Sequence, residues 1–160
     1  MIRAVAVIAM CLWAEMAPRA PPQGNVVTFR VFTPATVMFP VLDVNSTTQA
    51  SSATTVSFDL GTLKNGQALR ISVKADADIV MPGGATIPAT NVGWTATGAT
   101  NGVGVNGALN KLTYTTVFEG QIVANAGQAT LSWTLAAPGP SVTAGTGQLT
   151  LRWRFEAVRP

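Results

Sequence analysis

Histidine is absent from this sequence, and cysteine occurs once, as Cys11. Without imidazole there is no Ser-His-Asp triad, no Cys-His dyad and no histidine metal site. One thiol excludes an intrachain disulfide, so stability has to come from packing and backbone hydrogen bonds. Charge is scarce too. Asp, Glu, Lys and Arg make up 11% of the chain, against roughly 25% in ordinary soluble domains. That leaves too few Glu, Lys and Arg to surface long helices. Ten basic residues outnumber seven acidic ones. The basic residues stand singly, without the clustering and interleaved aromatics of a nucleic-acid surface, and no nucleic-acid partner is expected.

The acids are Glu15, Asp43, Asp59, Asp76, Asp78, Glu119 and Glu156. A glycosidase needs two carboxylates across one cleft. A pair such as Asp59 with Glu119 is conceivable, but single acids on polar strand faces are ordinarily solvated. Asp76 and Asp78 beside Lys74 offer too few oxygens for Ca²⁺, which takes six to eight, and strand-end turn chemistry accounts for both. Gly102-x-Gly104 lacks a following helix and a third glycine, so it is not a phosphate loop. The expectation is a non-enzyme without metal, cofactor or small-molecule substrate.

What the chain has instead is alternation, most plainly in its last stretch, Gln148 to Val158. Leu149, Leu151, Trp153, Phe155 and Ala157 alternate with Thr150, Arg152, Arg154 and Glu156. Successive strand side chains leave opposite faces, so this predicts a long strand with one dry and one wet face. Val56, Phe58 and Leu60 repeat the pattern. So do Leu69, Ile71 and Val73 after a tight turn at Asn65-Gly66, and the two runs read as a hairpin. Val92, Trp94 and Ala96 form a further short strand. Leu112, Tyr114, Thr116 and Phe118 share one face of the next. After a turn at Asn125-Ala126-Gly127 come Leu131, Trp133 and Leu135. Phase places Phe58, Trp94, Trp133, Leu149, Leu151, Trp153 and Phe155 in the core, not on an aromatic binding platform.

Other segments read as connections. Pro34 stops Asn25–Thr33, and Pro40 bends the apolar run from Ala35 to Val44 or holds it at an edge. Asn45 to Thr55 is a polar loop carrying the glycosylation sequon Asn45-Ser46-Thr47. Pro82-Gly83-Gly84 turns the chain, and Gly98–Gly107 reads as a mobile surface loop. Eight or nine short strands, with turns about every ten residues and no helix after position 20, predict an antiparallel β-sandwich, with a closed barrel as the alternative.

Residues 1–22 differ in composition. Arg3, an apolar run from Ala4 to Ala14, and then Pro18, Pro21 and Pro22 resemble a secretory signal, or else a retained N-terminal arm. The run is short of the roughly 20 apolar residues that span a bilayer, so any membrane contact would be transient. The expected division is 1–22, outside the fold, and 23–160, the sandwich domain.

Two segments carry a resemblance. Ala144 to Leu151, leading into the closing strand, looks like the last strand of secreted bacterial pilins. Val56 to Gly66 looks like a strand and turn of pilin-like and biofilm-fibre β-sandwich subunits. The resemblance implies an immunoglobulin-like or pilin-like sandwich at the cell surface that polymerises with itself by strand exchange. The chain departs from chaperone-assembled pilins in lacking their disulfide cysteines. The candidate donor is Asn25–Thr33, which follows the Pro-rich joint and is apolar on both faces: Val27, Phe29 and Val31 against Val26 and Phe32. An ordinary strand of the same domain is the competing reading. A binding module (adhesin or carbohydrate binder) and a virion capsid or decoration protein are the alternatives to a filament subunit.

Overall fold

The structure, a computed structural model, describes residues 4–7, 27–32, 36–60, 63, 66–122, 124 and 126–160, with only the backbone at 4–7, 27–32, 36 and 60. Cys11, the joint at Pro21-Pro22, Asn25, Val26, Pro34 and Asn65 lie outside the described residues. Of the segment expected to stand apart from the fold, only Ala4–Val7 is described.

The all-β class expected from alternation is what the chain adopts. Among the described residues there is no α-helix, and every strand pairing is antiparallel. In chain order the strands are β1 (Ala4–Val7), β2 (Val27–Phe32), β3 (Thr36–Phe39), β4 (Thr48–Gln49), β5 (Thr54–Leu60), β6 (Ala68–Ala75), β7 (Ile79–Val80) and β8 (Thr86–Ile87). After a short 3-10 turn at Ala89–Asn91 come β9 (Val92–Thr100), β10 (Gly102–Gly104), β11 (Gly107–Ala108), β12 (Thr115–Gly120), β13 (Ala126–Leu135) and β14 (Leu151–Val158). These fourteen exceed the expected eight or nine because several are pieces of two or three residues, too short to show a period in sequence.

The strands form two main sheets, neither of them closed. The first has six strands: β11-β9-β13-β5-β2 in order, with β4 alongside β13. The second runs β10-β12-β6-β14. Two small pairs, β1-β3 and β7-β8, flank them. Central β13 alternates buried and outward positions along its whole length, burying Ala129, Leu131, Trp133 and Leu135. In the second sheet β6 buries Leu69, Ile71, Val73 and Ala75. These residues belong to one apolar cluster with Val56, Phe58, Trp94, Val117 and Phe118. The Phe58 ring of the first sheet lies 5.6 Å from the Phe118 ring of the second.

Several expectations are corrected. β5 and β6 do not form a hairpin: β5 pairs with β13 and β2, while β6 pairs with β12 and β14. Gly66 has φ +76°, and the connection between the two strands carries the chain from one sheet to the other. The apolar side chains of both, Val56 and Phe58 in β5 and Leu69, Ile71 and Val73 in β6, join one apolar cluster. The turn expected at Asn125-Ala126-Gly127 comes earlier, because Ala126 and Gly127 already belong to β13. The common phase of Leu112, Tyr114, Thr116 and Phe118 is broken as well. Leu112 is exposed ahead of the strand, and a register shift between Thr116 and Phe118 buries both Val117 and Phe118.

Gly98–Gly107 is mostly strand, not loop. It ends β9 in the first sheet, turns at Asn101 (φ 53°), forms β10 in the second sheet and returns as β11 to the first. Its glycines serve close approach. A Cβ on Gly102 would sit 2.3 Å from Cζ of Phe118 and 2.5 Å from the Glu119 carbonyl oxygen. The crossing is tied down by bonds from Trp94 Nε1 to the Val105 carbonyl (2.7 Å), from Asn101 Nδ2 to the Ala126 carbonyl (2.8 Å) and from the Ala96 N–H to Asn106 Oδ1 (2.8 Å).

Candidate functional site

A void of about 10 Å³ lies among Val37, Phe39, Val92, Leu109, Trp133, Leu149 and Leu151. All seven are apolar, and the space is at the lower limit for a single water. Trp94 and Trp133 face each other across the β9–β13 ladder, with ring centroids 5.5 Å apart in an edge-to-face arrangement. Both are buried, and both indole N–H groups are satisfied. Trp94 donates to Val105 O, and Trp133 donates to Thr54 Oγ1 at 2.9 Å. Neither ring is available as a surface platform.

The acids are dispersed. Asp59 is exposed on β5, and its neighbours Val56 and Phe58 point into the core. Glu119 lies on the outer side of the second sheet, 3.1 Å from Arg70. The two carboxylates thus lie on strands of different sheets, and Glu119 is engaged by Arg70. Asp76 pairs with Arg152, and Asp78 with Lys111, while Asp78 Oδ1 also accepts the Ala89 N–H at 2.9 Å. The Lys111 contact, followed by the Ala89 N–H, holds the Asp78 carboxyl below its ordinary pKa of 3.8. Asp43 is lowered by the Ser46 hydroxyl and the Asn45 N–H, which donate to it at 2.7 and 2.9 Å. Asp43 thus closes a turn, and Asp78 pins a connection. Among the described residues no group of three or more His, Cys, Asp or Glu is placed to hold a metal ion, and no helix is long and apolar enough to cross a membrane.

What remains is strand edges. An open sheet ends in strands bonded on one side only, and the outer row of N–H and C=O groups is a template for another strand. The first sheet ends at β2. Its Val27, Phe29, Val31 and Phe32 stand in register with Leu60, Phe58, Val56 and Thr55 of β5, within the same chain. Those are the described members of the candidate donor; Val26 lies outside the described residues. The opposite end is the two-residue β11. The second sheet ends at β14, an eight-residue strand whose ladder partner is β6.

β14 differs from expectation in how its dry face behaves. Leu149 and Leu151 are buried, but Trp153 and Phe155 are only half-covered against the core, and Ala157 is exposed. Among the described residues β14 ends its sheet, with β6 as its ladder neighbour. Its wet face joins a charged surface. Arg154 lies 3.0 Å from Glu156, with its guanidinium carbon 4.4 Å from the centre of the Tyr114 ring, and Lys74 Nζ is 5.3 Å from the same ring. The Tyr114 ring is thus occupied by its own cations. Beneath them Ser72 is buried.

Parity alone did not mark β14 as an edge, since inner and edge strands alternate alike. The available signal was its three charges on one short face, a common feature of edge strands. No protein-family model matches this chain, and no curated protein is significantly similar to it.

Proposed function

We propose that this chain is a structural subunit of an extracellular filament, pilus or surface layer, built as an immunoglobulin-like or pilin-like β-sandwich in which the two open sheets pack face to face. One observation carries the reading: among the described residues each main sheet ends in a long strand, β2 in the first and β14 in the second, whose ladder runs to one neighbour. The filled core and the dispersed acids favour recognition and assembly over catalysis. Adding a strand to such an edge gives strength through main-chain hydrogen bonds and register through alternate side chains. The subunit assembles by donating its N-terminal strand. Residues 23–33 leave β5 of their own chain and complete the same place in a neighbour. Because β2 is terminal in its sheet, its departure breaks a single ladder and leaves the rest of the sheet paired.

Negative-stain microscopy tests this. The full chain is expected to form fibres or ordered layers, and a variant lacking residues 23–33 is expected to form none. A synthetic peptide of residues 23–33, added to that variant, should restore its thermal transition and yield capped monomers. Fibres formed by the truncated variant would overturn strand donation. A full chain that stays monomeric would overturn the subunit reading.

A further inference from the structure

We propose that β14 is a self-complementary docking edge, pairing antiparallel with β14 of a second copy about a two-fold axis beside Phe155, so that Arg154 of each copy faces Glu156 of the other. The pairing rests on the reading of the chain as a self-assembling subunit, and names the partner and register at one of its edges.

The backbone sets which groups face outward. The Asp76 N–H donates to the Thr150 carbonyl, and the ladder continues from there with Leu151 opposite Ala75 and Arg152 opposite Lys74. Hydrogen-bonded positions alternate in an antiparallel pair. Thr150, Arg152, Arg154 and Glu156 therefore direct their N–H and C=O groups to β6, and Leu151, Trp153 and Ala157 direct theirs away from it.

Charge selects the register. Two copies related by a two-fold axis must place same-face residues opposite each other, so the axis passes beside one residue, which meets its own equivalent. An axis at Trp153 sets Arg152 against Arg154, and an axis at Arg154 or Glu156 sets that charge against itself. Like charges directly opposite destabilise a strand pair, and unlike charges stabilise it. With the axis at Phe155, Arg154 meets Glu156 twice and no like charges meet. The same register brings Trp153 opposite Ala157, a large side chain against a small one, both at outward-directed backbone positions. In the free chain Arg154 and Glu156 satisfy each other at 3.0 Å while their side chains remain 46% and 36% exposed, so each can change partner with little loss. The product joins two four-stranded sheets into one of eight. Such a contact is isologous and closes a dimer, whereas strand donation is open-ended.

In this register Arg154 and the other copy's Glu156 form a non-hydrogen-bonded pair, with Cα atoms about 4.5 Å apart, within disulfide reach. In a Cys11→Ser background, Arg154→Cys and Glu156→Cys variants are mixed and mildly oxidised. The expected product is a covalent dimer containing one of each, which neither variant forms alone. Cross-linking of Arg154→Cys to itself, or no cross-link, would overturn the pairing. Ala157→Pro provides a second measure. Its ring removes an N–H that β6 does not use, so the melting transition is expected to hold while the dimer dissociation constant rises about tenfold or more. An unchanged dissociation constant in Ala157→Pro would overturn the proposal. Fibres that form without any cross-link would do so too, while leaving strand donation standing. A cross-link that survives removal of residues 23–33 would support the β14 pair even where strand donation fails.

Discussion

Trp133 and Trp153 stand in the same phase of their strands, and sequence gives no reason to separate them. They differ in burial and in one hydrogen bond. The buried Trp133 donates to Thr54 Oγ1, itself fully buried, whereas the Trp153 indole N–H is buried without an acceptor among the described residues. Trp133→Phe therefore loses packing volume and also strands the Thr54 hydroxyl, at a cost of about 3 kcal/mol. Trp153→Phe removes a donor that had no partner and is expected to cost about 1 kcal/mol or less. Urea unfolding of both variants checks the contrast. Thr54→Val added to Trp133→Phe should cost less than the sum of the two single changes, since the hydroxyl and its donor leave together.

Asp78 is the second residue whose role emerges only in three dimensions, because Lys111 and Ala89 are far from it in sequence. Its pKa is lowered in the folded chain, first by Lys111 and then by the Ala89 N–H. The resulting stabilisation is complete above its ordinary value of 3.8 and is lost as pH falls through the lower folded value. Asp78→Asn is expected to cost about 1 kcal/mol at neutral pH, and the cost is expected to shrink as pH falls through the lowered folded value, as read by unfolding midpoints at neutral and acid pH.

At the scale of elements, the period of two was legible wherever a strand ran straight. β13 follows it residue by residue, and β5 and β6 bury the faces their sequences mark. Neighbour relations were not legible. Asn-Gly announces a turn, but whether the following strand lies beside the first or across from it depends on what else covers their apolar faces. The register shift in β12 buries consecutive Val117 and Phe118, which no strict alternation can express. Gly98–Gly107 was misread for a related reason: glycine signals both freedom and close approach, and sequence does not say which. Here it is approach. Gly102→Ala would place a methyl group against the Phe118 ring and the Glu119 carbonyl, and the backbone cannot yield as a side-chain tip can. The expected cost is about 2 kcal/mol, with the loss of protection in amide exchange concentrated at β10 and the facing end of β12.

For the whole molecule, composition and the absence of histidine were enough to turn attention from catalysis to surfaces, but which strands form the edges is a property of topology. The two edges also differ in chemistry. At β14 the docking register is fixed by Arg154 and Glu156, exposed charges whose attraction salt can screen, while the main-chain bonds are indifferent to it. Raising ionic strength to 1 M shortens the screening length to about 3 Å. Two reciprocal exposed pairs are together worth about 1 kcal/mol, part of it offset by the Arg154–Glu156 pair that each copy gives up, so the β14 dimer should weaken by at most about fivefold and not dissolve. Strand donation by residues 23–33 rests chiefly on main-chain hydrogen bonds and should change less. Sedimentation of Ala157→Pro and of the variant lacking 23–33, each at low and high salt, separates the two responses. A β14 dimer as tight in 1 M salt as in dilute buffer would mean that side-chain charge does not choose its register.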